Sequence, residues 1–306
     1  MARVLISGLI NIETTLRVDR FPLPYYPVTY PFGGVASSVS GVGLNIARAL
    51  RVLGHEVRLV SMIGADAPGR WVRDQLARWN IADDYVIDTL PATPQSVILY
   101  DAEGRRQIHV DLKTIQDVAY PDPSREDLWD GVDLAVLCNI NYSRGLIPPT
   151  RARGIPWASD VHALEQVEDA YNREFTGADI LFMSHERLPE SPEAFGSALR
   201  RERNPEVLVI GCGAEGAWLF PRGGTPTHVP AVRTRPIINT IGAGDALFSG
   251  FLHGWLDGLD HETALRQAIG FASWKIGCAS ASHGFLDAET LAALYRGQTI
   301  PPNAGT

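Results

Sequence analysis

Residues 239–252 read Asn239-Thr240-Ile241-Gly242-Ala243-Gly244-Asp245-Ala246-Leu247-Phe248-Ser249-Gly250-Phe251-Leu252. Beyond Asp245 the side chains are small and apolar at helical spacing, so Gly242 to Gly244 form the first turn of a buried helix. Glycine at such positions costs about 1 kcal/mol each relative to alanine. That cost implies a backbone that something approaches closely. Free N–H groups and the local dipole at a helix start bind anions, and would stabilise charge developing on a transferring phosphoryl group. Asp245 lies one residue further on, where a carboxylate can take the proton of an attacking hydroxyl. A plain structural role also fits, with Asp245 favouring the dipole and the glycines packing on a strand.

Outward from this stretch, short β-branched runs alternate with longer segments of helical period, the pattern of βαβ units and a parallel sheet. Strands are expected at Val4–Ile6, Glu56–Ile63, Leu134–Cys138, Ile180–Met183, Val207–Ile210 and Ala217–Phe220. Helices are expected at Val42–Leu53, Arg70–Asn80, Leu164–Phe175, Glu193–Arg203, Ala243–Asp257 and Glu262–Gly277. Glu13–Arg20 and Ser96–Val110 break the rhythm: both alternate like strands, and the second turns at Asp101-Ala102-Glu103-Gly104. Neither leads into a crossover helix, which predicts a small antiparallel sheet standing off the main body, inserted at about residues 11–32 and 95–115.

Two further glycine clusters compete for attention. Gly211-Cys212-Gly213-Ala214-Glu215-Gly216 matches GxGxxG after a strand. A dinucleotide fingerprint must open a helix, yet Ala217–Phe220 reads as a strand, so a turn between two strands is the better reading. Ser40-Gly41-Val42-Gly43-Leu44-Asn45 opens an amphipathic helix and places Asn45 in its first turn, where its amide faces either a ligand or the local backbone.

Composition narrows the functions. The 306 residues are 45% hydrophobic and 20% charged, enough apolar material for a full core. A net charge of −8 without a basic block disfavours nucleic acid and anionic membrane as partners. No run approaches the length of a membrane span. Cys138, Cys212 and Cys278 are scattered singly, which suits a reducing, cytoplasmic setting. Only two lysines occur, Lys113 and Lys275, neither in a glycine-rich loop, so a Walker A site is excluded by count.

Taken in order, these motifs resemble the ribokinase-like (PfkB) family of carbohydrate and nucleoside kinases over nearly the whole chain. Gly242-Ala243-Gly244-Asp245 is the most specific match, and the Asn45 to Gly54 spacing supports it. The resemblance implies one ribokinase-like domain over 1–306: a three-layer α/β/α sandwich with a mostly parallel sheet and the inserted sheet as a lid. It implies an ATP- and Mg2+-dependent kinase acting on a hydroxyl of a sugar or sugar-like molecule. Asp245 would be the base, with Gly242, Ala243 and Gly244 as the anion hole. Glu13, standing where the family usually has Asp, would bind sugar together with Gly41, Gly43 and Asn45. Gly211, Gly213, Gly216 and Ser273 would lie at the nucleotide, and Glu186 and Asp160 on the metal side.

Departures from the family pattern keep alternatives open. Ser184-His185-Glu186-Arg187 replaces the family's N-x-x-E segment, and Gly211 stands where a threonine is usual. Asn239 and Ile241 are similar to positions that contribute to a monovalent-cation site in ribokinase, and the change of the first from Asp leaves K+ dependence undecided. A nucleoside acceptor, with Tyr100 stacking on its base, and a binding protein that has lost turnover both remain. His109 and Lys113, near the hairpin's end, are further candidates to reach the acceptor. An exposed lid edge invites pairing of two copies into a homodimer.

Overall fold

Val4, Leu5 and Ile6 are buried on both faces, as a central strand of a parallel sheet requires. They form β1 (Arg3–Ser7) in the computed structural model, which describes residues 1–301, 304 and 305. The remaining strands of the large sheet are β4 (Glu56–Gly64), β5 (Val86–Leu90), β8 (Leu134–Leu137), β9 (Trp157–Ala163), β10 (Ile180–Ser184), β11 (Val207–Gly211), β12 (Ala217–Pro221) and β13 (Thr227–Val229). Their order is β13-β12-β11-β10-β9-β8-β1-β4-β5. Pairing is parallel from β5 to β11 and antiparallel for the last two strands.

Successive side chains of β1 point to opposite faces, and each face has its own core: Val4 and Ile6 join one cluster, Leu5 the other. Helices α1 (Val42–Val52), α2 (Ala67–Arg78), α6 (Ala243–Leu256), α7 (His261–Lys275) and α8 (Ala288–Tyr295) bury residues in the first cluster. The short α3 (Glu126–Trp129) and α4 (Ile147–Ala152), with α5 (Pro192–Arg203), cover the second. Three layers result, α/β/α, as expected. None of the described helices is long and apolar enough to cross a membrane.

A second sheet is built from β2 (Asn11–Arg17), β3 (Val35–Ser40), β6 (Gln95–Tyr100) and β7 (Arg106–Asp111), in the order β3-β2-β6-β7. It is not wholly antiparallel, because β2 and β6 run parallel. Both strands leave the same end of the large sheet, one after β1 and one after β5, so they point the same way. The Asp101 turn joins β6 to β7, its carboxylate accepting from the amides of Glu103 and Arg105 at 3.0 Å each. The returning strand starts at Val35, beyond the proline-rich stretch that the expected boundary of 32 cut short.

The helix expected at Leu164–Phe175 does not form. Asp169 accepts from the amide and side chain of Asn172, a local turn that competes with helix. Arg144 also takes the Tyr171 carbonyl, removing it from any helical ladder.

On the first face, a buried chain of bonds ties the N-terminus to α6. The Ala2 amide donates to His55 Nδ1, His55 and His253 are linked Nε2 to Nδ1 at 2.9 Å, and His253 faces Asp257. Burial lowers the pKa of both rings, that of His55 to about 4. A depressed imidazole contributes stability that is present above pH 6.5 and lost as pH falls toward 4, by up to about 3 kcal/mol for His55. Denaturant melts across that window are expected to show the loss, and His55→Gln to flatten it.

Candidate active site

The carboxyl ends of β1, β8 and β9 open where the strand order reverses direction, the usual place for a ligand in such sheets. Above them, Gly242 caps α6 in the left-handed conformation (φ 74), where a side chain would meet the Ala281 carbonyl at 3.0 Å. Gly244 opens to free space. Among the described residues the amides of Gly242, Gly244 and Asp245 make no hydrogen bond, whereas that of Ala243 donates to Thr240 O at 3.2 Å. Ala243 is thereby withdrawn from the expected anion hole; the Gly242, Gly244 and Asp245 amides stay free to face an anion.

Asp245 is half-buried, and its Oδ2 accepts from Asn45 Nδ2 at 2.6 Å. From Asn45 the network runs through the Ser40 hydroxyl, which reaches Asn45 Oδ1 at 3.3 Å and Glu13 Oε2 at 3.1 Å. Residues from β2, β3, α1 and α6 thus converge on one carboxylate. Burial pushes the Asp245 pKa up to about 6, with Asp160 adding repulsion, against the Asn45 hydrogen bond and the positive influence of His162 and Lys275.

Glu13 is buried on an interior strand, not exposed on an edge, and desolvation raises its pKa despite the Ser40 bond. Its Oε1 and the Oδ1 of Asn11, two residues earlier on the same face of β2, are buried acceptors without a partner among the described residues. Buried acceptors are seldom left unpaired; hydroxyl groups of a polyol are donors of the right kind.

Gly41 and Gly43 allow a close approach of backbone to backbone. A Cβ on Gly41 (φ 113) would meet Leu9 C at 2.9 Å, and one on Gly43 would meet Gly8 Cα at 2.6 Å. They let α1 press against the backbone that joins β1 to β2, and so set the depth of Asn45.

The 211–216 segment is the turn between antiparallel β11 and β12, so it opens no dinucleotide helix. Gly213 (φ 57) and Gly216 (φ 103) take left-handed backbone, and a Cβ on Gly216 would meet Ala231 N at 2.6 Å. Gly211 borders Leu247 at the start of the second turn of α6, the helix that the free amides open. The Ser273 hydroxyl engages the amide and hydroxyl of Thr234 at 3.0 and 3.1 Å, pinning the 230–240 segment to α7.

On the proposed metal side, Asp160 is buried in the middle of β9, not at the strand's end, with Oδ1 accepting from the His162 amide at 2.8 Å. Glu186 is exposed and paired with Arg106 at 3.1 Å. Each carboxylate offers hard oxygen of the kind that Mg2+ takes while keeping much of its water. Tyr100 packs on Ile98, Ile241 and Ala281 rather than standing free to stack on a base. His109 is exposed, and Lys113 pairs with Asp111.

Two residues escaped sequence reasoning. Arg106 reaches from β7 to Thr240 Oγ1 at 2.9 Å as well as to Glu186. Strand alternation carries the signal, because Arg106 pairs with Tyr100 and Ser96 with Glu13, on one face of the small sheet. Lys275 is fully buried beneath the Ile241–Gly242 turn; nothing local in the sequence sets it apart.

The chain is similar to characterised proteins over most of its length. It is 26% identical over 277 residues to acarbose 7(IV)-phosphotransferase of an Actinoplanes species, covering 86% of this chain and 88% of that one. It is 25% identical over 296 residues to the ATP-dependent ribose-1-phosphate kinase of Halopiger xanaduensis, covering 88% and 90%. Among solved structures, a microbiome-derived acarbose kinase superposes with a TM-score of 0.84 at 24% identity, covering 96% of this chain and 99% of that chain. The model of the pfkB carbohydrate kinase family matches residues 1–141 and 161–288, a span that holds the glycine turn and its carboxylate, and the chain belongs to the pfkB family.

Proposed function

We propose that the protein transfers the terminal phosphoryl group of ATP to a hydroxyl of a sugar or sugar-like acceptor, with Asp245 as the base. The observation that carries this reading is the half-buried Asp245 carboxylate standing directly after free amides at the start of α6. The acceptor hydroxyl approaches Asp245 Oδ, hands over its proton and attacks in line. Charge on the phosphoryl oxygens is met by the Gly242, Gly244 and Asp245 amides. Asn45 holds the carboxylate in place, while Glu13 and Asn11 accept from other hydroxyls of the acceptor. The 211–216 loop, beside the same helix, takes the nucleotide side. Asp160 and Glu186 would hold Mg2+, which when bound offsets the charge of the outer phosphates.

The small sheet acts as a lid, and Arg106 as its latch to Thr240 and Glu186. Closure excludes water that would otherwise compete for the phosphoryl group. Arg106→Ala is expected to lower kcat/KM for ATP by roughly 10-fold to 100-fold, since positioning is lost while the base remains; steady-state kinetics against the unchanged acceptor KM checks this.

The lid also carries Tyr25, Tyr26, Tyr30 and Phe32 exposed, together with an edge strand, β7, exposed throughout. These support a homodimer through the lids, and sedimentation showing a monomer at micromolar concentration would remove that part. ATP as donor and three unpaired cysteines favour a cytoplasmic location.

An ADP-release assay over a panel of sugars and nucleosides tests the whole reading. Turnover with a sugar is expected. Turnover with nucleosides alone would move the acceptor class, and ADP binding without any turnover would leave a binding protein.

A further inference from the structure

Lys275 ends α7 with a fully buried side chain. Its ammonium donates to the carbonyls of Ile241 and Ser280, each at 2.7 Å. A buried charge is costly unless it is paired, yet among the described residues no carboxylate forms an ion pair with it. Burial pulls its pKa down to about 8, while Cys278, Asp245 and Glu13 favour its charged form through space. Main-chain oxygens and the carboxyl end of α7 therefore hold this charge, as they would hold a small hard cation.

The two carbonyls belong to the two segments that frame the anion hole. Ile241 directly precedes Gly242. Ser280 lies in the 276–283 loop, whose Ala281 packs on Gly242 and whose Ser282 hydroxyl donates to Val39 O in β3 at 2.9 Å. Asn239 completes the arrangement: its Nδ2 donates to Ala279 O at 2.8 Å, and its Oδ1 accepts from the Ile241 amide at 3.0 Å. A carboxylate at 239 could still accept from the Ile241 amide but could not donate to Ala279. Asn239 and Lys275 thus tie the same two segments together, the amide through neutral hydrogen bonds and the ammonium through its charge.

We propose that the Lys275 ammonium is a built-in monovalent cation, which fixes the Ile241–Gly242 turn and its free amides so that phosphoryl transfer needs no added K+. The carbonyls of Ile241 and Ser280 are already taken, so they do not fit a second cation. Lys275 touches no substrate; it is a positioning residue, and its effect on turnover rests on the phosphoryl-transfer reading above.

The test uses the full chain, wild type and Lys275→Ala, in choline, potassium and ammonium chloride of equal ionic strength, reading turnover and thermal midpoint. Wild-type turnover is expected to agree within about twofold across the three salts, and Lys275→Ala to fall by about 10²-fold in choline chloride. Potassium or ammonium, small enough to enter the vacated space, is expected to restore about tenfold and to raise the midpoint of the alanine variant alone. Lys275→Met preserves length without charge, and is expected to fold, to lose turnover and to gain nothing from either cation. Wild-type stimulation of about tenfold by potassium, full turnover of Lys275→Met, or a folded Lys275→Ala indifferent to cations in both readouts would each overturn the proposal. Should Lys275→Ala not fold, the wild-type salt response and Lys275→Met decide. Failure of the kinase reading looks different: wild type then turns over no acceptor in any salt, while the midpoint of Lys275→Ala still responds to ammonium.

Discussion

Asp245→Asn is expected to lower kcat by about 10²- to 10⁴-fold while nucleotide affinity stays within about twofold. The amide keeps the shape of the carboxylate and leaves the Gly242 and Gly244 amides untouched, but it cannot accept a proton. The carboxylate's pKa, raised to about 6 by burial, sharpens the test. Only the ionised form is a base, so wild-type kcat should fall as pH drops through about 6, and this acid limb should vanish in the variant's residual rate. The stability sign runs the opposite way from that of an ordinary paired carboxylate. A folded pKa above the unfolded value means that stability is lost as pH rises from 3.8 through about 6, a loss complete above that pH. The neutral amide is therefore expected to leave the melting temperature at pH 7.5 unchanged or higher. A variant that loses activity and stability together would mark Asp245 as a packing residue.

Gly43→Ala is the second large effect, and it acts through backbone rather than chemistry. A methyl group there meets Gly8 Cα at 2.6 Å, and main chain cannot yield as a flexible side chain would. The helix α1 must lift from the β1–β2 connection, at a cost of about 1–3 kcal/mol. Asn45, two residues on, lifts with it and draws its amide away from Asp245 Oδ2. A displacement of that size at a positioning group costs up to about 10²-fold in turnover. Denaturant melts and steady-state kinetics on one preparation check both parts. Loss of stability with unchanged kcat would separate the glycine from the site.

The large sheet was legible because its strands are buried on both faces and read as uninterrupted apolar runs, Val4–Ile6 and Val207–Ile210 among them. Gly242-Ala243-Gly244-Asp245 was legible because a helix start, its unbonded amides and a carboxylate lie within four consecutive positions. Leu164–Phe175 misled, since its helical spacing competes with the Asp169–Asn172 turn and with Arg144, a residue distant in sequence that takes the Tyr171 carbonyl. The roles of Gly41 and Gly43 were hidden for a related reason. Their cause is the backbone of Gly8 and Leu9, more than thirty residues earlier in the chain.

Local order along the chain thus determined the α/β sandwich, the inserted sheet and the carboxylate beside bare amides, because each depends on neighbours a few residues apart. Tertiary structure alone decided that the Ala243 amide bonds to Thr240, that Glu13 is buried with an oxygen lacking a partner among the described residues, that Arg106 bridges the small sheet to Thr240, and that an ammonium 30 residues beyond Asp245 sits beneath the glycine turn. Burial and pairing are set by what packs from elsewhere in the chain, and the energies of buried charges follow that packing rather than the identity of the next residue.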